Sequence, residues 1–195
     1  MKTIRAFIAI EISPPSKLKI SEFINQLKRS ESDVKLVNDT QMHLTLKFLG
    51  NIEQDKIPEI SGALKDIASK AVVFQIIFSG IEAFPDINRP RVIWLGIEKG
   101  ADNLKKLAGH IEDKMKNLGF AKEGRCYKAH LTLGRVRSLK NIGALTSMIS
   151  KTELDYRKEI TIDKLTLFQS TLTQKGVIYT PLNHLNFTNS AMHDL

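Results

Sequence analysis

A single cysteine, Cys126, stands in the whole chain, so no disulfide closes within it and no paired-cysteine metal site is available. A lone thiol fits a reducing compartment, and the expectation is a cytoplasmic protein. Apolar runs of membrane-spanning length are missing as well. The N-terminal apolar run, behind Lys2 and Arg5, ends at Glu11 without a cleavage-site pattern, and it reads as a strand rather than a signal peptide or membrane span. The chain also lacks the Gly-x-Gly-x-x-Gly loop, the Walker-type phosphate loop and the Gly-x-Ser-x-Gly elbow, which removes three cofactor and nucleophile classes. It does not lack the means to build a core. With 195 residues, 42% of them hydrophobic, one domain buries roughly 70% of its unfolded surface and needs no metal or disulfide staple.

What is present is a repeat. His-Leu-Thr-Leu occurs at His43 to Leu46 and again at His130 to Leu133. In each copy the period-2 alternation of a half-buried strand sends His and Thr to one face and both Leu to the other. A shift of 87 residues, without a gap, also lays Ile8-Ala9-Ile10-Glu11 on Leu95-Gly96-Ile97-Glu98 and Phe7 on Trp94. Between these anchors lie two helical patterns. One is Leu18, Ile20, Phe23, Ile24 and Leu27 behind Ser13-Pro14-Pro15; the other is Leu104, Leu107, Ala108, Ile111, Met115 and Leu118, stopping at Gly119. Each half therefore reads strand, helix, turn, His-bearing strand, and the repeat predicts a site on a pseudo-twofold axis between the halves.

The rest of the chain supplies a helical pattern at Ile57, Ile60, Leu64 and Ile67, and an apolar strand from Val72 to Phe84 that breaks at Gly80. After the turn material Asp86 to Pro90 comes a strand from Arg91 to Ile97. A weaker helix surrounds Ile142, Leu145, Met148 and Ile149. Ile160 and Ile162 are followed by Leu165 and Leu167 with a parity shift at Asp163-Lys164, which suggests a bulge or bend. Val177 to Tyr179 and Leu185 to Phe187 close the ordered pattern. Connections between several strands are too short for helical crossovers, so the predicted class is α+β. Two pseudo-symmetric lobes, each an antiparallel sheet with outer helices, should flank a central cleft in one bilobal domain over residues 1–187, with a polar tail over 188–195.

Two imidazoles converging on one anion suit acid–base chemistry at a phosphate, because a group with a reference pKa near 6.5 serves as acid or base at neutral pH. The net charge of +8, from 29 Lys and Arg against 21 Asp and Glu, points mildly to an anionic partner. A zinc site would need a third ligand. His110 falls in a helix, His193 in the tail and His184 after a Pro-Leu-Asn turn, so no metal is expected. Lys47 shares the strand parity of His43 and Thr45 and either faces the phosphate or is a solvated strand-end cation. Arg135 lacks the parity of His130 and reaches the same face only if the strand twists or ends at Gly134. Phe7 and Trp94, aromatics in apolar strands, read as core before they read as a base-stacking surface. Cys126, beside a strand, reads as a small core hydrophobe.

These residues carry a resemblance. The two His-x-Thr-x motifs resemble those of the 2H phosphoesterase superfamily. More closely, Arg5 to Ile10, His43 to Gly50, Phe84-Pro85, Arg91 to Trp94 and Ala129 to Val136 resemble the RNA 2',3'-cyclic phosphodiesterase family, a branch once named for RNA 2'-5' ligase activity. The resemblance implies a monomer without cofactor whose partner is RNA ending in a 2',3'-cyclic phosphate, opened to a 2'-phosphate. It implies His43 as proton donor, His130 as proton acceptor, and Thr45 and Thr132 on the non-bridging oxygens; Lys47 and Arg135 stand beside them as candidate substrate contacts on strand geometry, each with a solvated strand-end cation as the other reading. Two alternatives remain: the reverse reaction, giving a 2'-5' linkage, and a non-catalytic RNA-binding module on the same fold.

Overall fold

A computed structural model describes residues 2–151, 158–174 and 176–188. The predicted alternations become β1 (Thr3–Glu11), β2 (Val34–Leu36), β3 (His43–Glu53), β4 (Phe74–Phe84), β5 (Val92–Lys99), β6 (His130–Val136), β7 (Ile160–Ile162), β8 (Lys164–Thr173) and β9 (Gly176–Asn186). The helical patterns become α1 (Pro14–Leu27), α2 (Ile57–Ala68), α3 (Ala101–Asn117) and α4 (Ile142–Lys151). Proline opens α1 where a missing N–H costs no helical bond. Gly119, at φ +87°, takes the left-handed turn that ends α3. Helices α1 and α3 start at residues 14 and 101, and β3 and β6 at residues 43 and 130, so both pairs keep the register of the sequence repeat.

The strands form two antiparallel sheets, ordered β3-β1-β8-β9 and β2-β6-β5-β4-β7. In both, the His-bearing strand lies beside the first strand of its own half. The third strand comes from the other half: β8 pairs with β1, and β4 pairs with β5. The two halves are thus exchanged through each other. Buried apolar residues of both sheets and all four helices merge into one continuous core, while Phe7, Ala9 and Phe168 form a separate small cluster with Tyr179 against it.

Four expectations change. The parity shift at Asp163 is neither bulge nor bend, because β7 belongs to the second sheet and β8 to the first, and the chain changes sheet there. Gly80 does not end a strand; β4 runs through it with a register shift between Phe78 and Ile81. Pro181 and Asn183 make no turn but lie within β9, an edge strand, at its register shift against β8, where a missing N–H is tolerated. Thr188, expected to open the tail, is pinned to Ala71, whose carbonyl accepts from its N–H at 2.9 Å and its hydroxyl at 3.0 Å. The remainder of the expected tail lies outside the described residues. No helix among the described residues is long and apolar enough to cross a membrane.

Candidate active site

His43 begins its strand just after the single 3-10 turn Asp39–Gln41 and His130 begins its strand after the open connection of residues 119–129, and each is held in the same way. Nδ1 of His43 lies 2.8 Å from the Gln41 carbonyl, and Nδ1 of His130 lies 2.7 Å from the Lys128 carbonyl, two residues back in both cases. A carbonyl only accepts, so Nδ1 carries the proton and Nε2 is left to exchange one. The turn ahead of His43 is itself fastened to β9, because the Gln41 amide donates to the Val177 carbonyl at 3.0 Å.

The surroundings of the two rings differ. His43 lies 4.9 Å from the Phe7 ring and meets Tyr179 edge-on at 5.1 Å, while Phe168 stacks on Phe7 at 5.2 Å. Burial in this aromatic pocket pushes its pKa down to about 4, against the Gln41 carbonyl, which favours the charged ring; positive charge on Lys17 and His130 adds to the depression. His130 meets Phe84 and Trp94 edge-on at 5.3 and 5.7 Å. Its pKa is lowered first by burial and then by Lys128 and Arg135, with the Lys128 carbonyl opposing. Lys128 sits 4.2 Å over the Trp94 ring and pairs with Glu82 at 2.9 Å. The two imidazoles share one site: β3 packs beside β6, and a proton on His130 is felt at His43.

A bulge in each His-bearing strand decides which neighbours join them. Along β3, Thr45 faces Ala9 and Lys47 faces Ile8, so Leu46 is the extra residue; along β6, Thr132 faces Trp94 and Gly134 faces Ile93, so Leu133 is. An extra residue reverses the side-chain parity beyond it. Thr45 and Thr132, before the bulges, stay with their histidines, half-buried, and neither hydroxyl has a side-chain hydrogen bond among the described residues. Lys47 is corrected: it is 2% exposed, and its ammonium donates to both carboxylate oxygens of Glu112 and to the Ala121 carbonyl, each at 2.9 Å. The same reversal brings Arg135 round. It is exposed, and its charge acts both on His130 and on Tyr179, which packs against His43 in the opposite lobe.

Sequence reasoning missed Phe48, which holds the place in β3 that Arg135 holds in β6. It is 55% exposed, with its ring 6.1 Å from Phe7. The repeat contained the signal, since residues 48 and 135 are equivalent, but a parity count without the bulge hides it. Phe7 and Trp94 are core, as read, and lie beneath the two histidines. Cys126 is exposed, contrary to expectation, because residues 119–129 form an open connection rather than part of the sheet. His184 lies in β9 and meets the Thr166 hydroxyl at 3.1 Å and Glu11 at 3.2 Å. Among the described residues no three His, Cys, Asp or Glu side chains are grouped to hold a metal ion. His193 lies outside them.

The family model described as LigT like Phosphoesterase matches residues 10–94 and, a second time, residues 95–179. The chain belongs to this family. Each match contains one histidine strand, as the internal repeat requires. Among relatives, the RNA 2',3'-cyclic phosphodiesterase of Archaeoglobus fulgidus is 34% identical over 178 residues, 91% of this chain and 97% of its own length. That of Methanocaldococcus jannaschii is 36% identical over 176 residues, 90% and 96% of the two chains. A crystal structure from Thermus thermophilus superposes with a TM-score of 0.79 at 22% identity, covering 96% of this chain and all of the other. Escherichia coli LigT with 3'-AMP gives 0.77 at 21% identity, covering 96% and 99%. These two structures carry the fold, the two-lobed arrangement of the family.

Proposed function

We propose that this protein hydrolyses the 2',3'-cyclic phosphate end of RNA to a 2'-phosphomonoester through His43 and His130, without a metal. The observation that carries the reading is the matched anchoring of both imidazoles by a backbone carbonyl at Nδ1, which leaves two Nε2 atoms for proton exchange at one site. Relatives of nearly equal length that bear the phosphodiesterase name support the substrate.

His130, neutral, takes a proton from water as the water oxygen bonds to phosphorus. His43, charged, gives its proton to the 3' oxygen as the P–O3' bond breaks, leaving the phosphate on the 2' oxygen. Thr45 and Thr132 donate to the non-bridging oxygens, whose charge grows in the transition state, and Arg135 adds a fixed positive charge. Phe48 offers a face for a base. Lys47 is not part of this set, because Glu112 and Ala121 occupy its ammonium. Both histidines are depressed in the free protein, so the acid must be recharged by the substrate: a bound phosphodiester anion beside them raises both pKa values. Which histidine gives and which takes follows from how the substrate lies, because exchanging the two protonation states leaves the pH profile the same. Both histidines belong to one chain, which supports action as a monomer, and an exposed free Cys126 suits a reducing compartment such as the cytoplasm.

The test is phosphorus NMR of RNA ending in a 2',3'-cyclic phosphate, with and without excess EDTA. The expected result is a 2'-phosphate formed at the same rate in both samples. Activity lost in EDTA and restored by zinc or manganese would overturn the two-histidine mechanism, and a 3'-phosphate product would reverse the orientation.

A further inference from the structure

A cavity of about 580 Å³ opens at the end of β1, between the β1–α1 connection and residues 158–164, the segment that carries the chain from the second sheet to the first. That volume lies within the roughly 300–1,000 Å³ of small-ligand sites. It adjoins the histidine site, because Glu11, on its wall, is the direct cross-strand partner of His43.

Its charges are unequally engaged. Glu11 accepts from the Thr166 hydroxyl at 3.0 Å and meets His184 at 3.2 Å, and Glu159 pairs with Lys99. Lys17, Lys158 and Lys164 also line the cavity, and none has an ion-pair partner among the described residues. Against these three free cations stands one uncommitted acid of the lining, Asp163. Lys17 and Lys164 are half-buried, which limits screening by solvent and the freedom their stems must give up on binding.

We propose that this cavity is a second substrate subsite, which takes the nucleotide on the 5' side of the cyclic end and holds its phosphodiester with Lys17, Lys158 and Lys164. The inference rests on the phosphodiesterase reading and deepens it: the protein acts on the ends of RNA chains in preference to single cyclic nucleotides. An RNA end whose terminal phosphate lies at His43 continues only in the 5' direction, and the free cations adjoin that histidine.

The experiment compares kcat/KM for a mononucleoside 2',3'-cyclic phosphate and for a trinucleotide ending in one, in the wild type and in Lys158→Gln/Lys164→Gln. Lys17 is left in place because its charge also acts on His43. The wild type should prefer the trinucleotide, and the variant should lose on the order of tenfold of that preference. The wild-type salt slope should be steeper for the trinucleotide by about 0.7 per phosphate contact, and the variant should lose the excess. Circular dichroism checks its fold. A wild type without preference, a preference unchanged in the variant, or a parallel loss on both substrates overturns the subsite. If the wild type turns over neither substrate, the phosphodiesterase reading fails instead. Fluorescence anisotropy of a labelled trinucleotide 2'-phosphate then decides the subsite alone: weaker binding by the variant supports it, and equal binding overturns it.

Discussion

The surroundings of His43 and His130 have the same backbone and different side chains. Both rings begin a bulged strand, both place Nδ1 on the carbonyl two residues back, and both lie on an aromatic from the neighbouring strand. In the first lobe the position across from that aromatic is Phe168, which stacks on Phe7; in the second it is Glu82, which grips Lys128 over Trp94. An apolar wall makes His43 the more strongly depressed of the two, through desolvation. A wall with an exposed cation keeps His130 closer to water. Divergence at a few side chains thus gives two equivalent imidazoles unequal proton affinities in the free protein.

The largest test of that division is removal of each ring. His43→Ala and His130→Ala should each reduce turnover of a 2',3'-cyclic nucleotide by about 10²- to 10⁴-fold with folding retained, and the double variant should fall little further, because the pair acts as a unit. Steady-state assays on the three proteins check this; full activity in either single variant would remove that histidine from the mechanism.

The bulges offer the next contrast. At equivalent positions Lys47 crosses to Glu112 on α3, while Gly134 lies under β2, where an added Cβ would come within 2.8 Å of Val34 and 3.0 Å of Leu36. Glu112 also accepts from the Glu123 N–H at 2.8 Å, so the His43 strand is tied to the connection that delivers His130. Lys47→Met should lower stability by about 3 kcal/mol by leaving Glu112 unpaired, and adding Glu112→Leu should restore much of it. Urea denaturation of both variants measures the effect, and a single variant as stable as the wild type would show that the pair contributes nothing.

An effect of at most the same size is expected in pH. With a folded pKa of about 4 against 6.5 when unfolded, His43 takes up a proton more readily in the unfolded chain. Its contribution is complete above pH 6.5 and is lost as pH falls towards 4, by up to roughly 3 kcal/mol. His43→Ala should therefore flatten that part of the stability curve, and His130→Ala should flatten it less. Both shifts being downward, the bell of kcat/KM should lie on the acid side of pH 6.5, and that of kcat should move up when the substrate anion binds.

Much of this was legible in the chain because it is periodic and local. The repeat placed both His and both Thr, the helix signals placed α1 and α3, and short connections excluded a parallel sheet. Lys47, Arg135 and Phe48 were not legible, since a parity count assumes an unbroken strand. The bulge after Thr132 comes with the passage of β2 over Gly134, a contact between residues about 100 apart in sequence. For the same reason the step at Asp163 looked like a local irregularity: two short apolar runs in one stretch of chain do not say that they join different sheets.

The exchange of β4 and β8 has a consequence for ancestry. Two copies of a half-length chain with this topology would each lend their last strand to the other, closing as a strand-swapped dimer with an isologous interface. Such a dimer would hold one histidine per subunit across its axis, and symmetry would oblige both to have the same surroundings and the same proton affinity. Joining the copies end to end lifts that obligation, and a phenylalanine at one position and a glutamate at its counterpart then give the two rings different surroundings and different proton affinities.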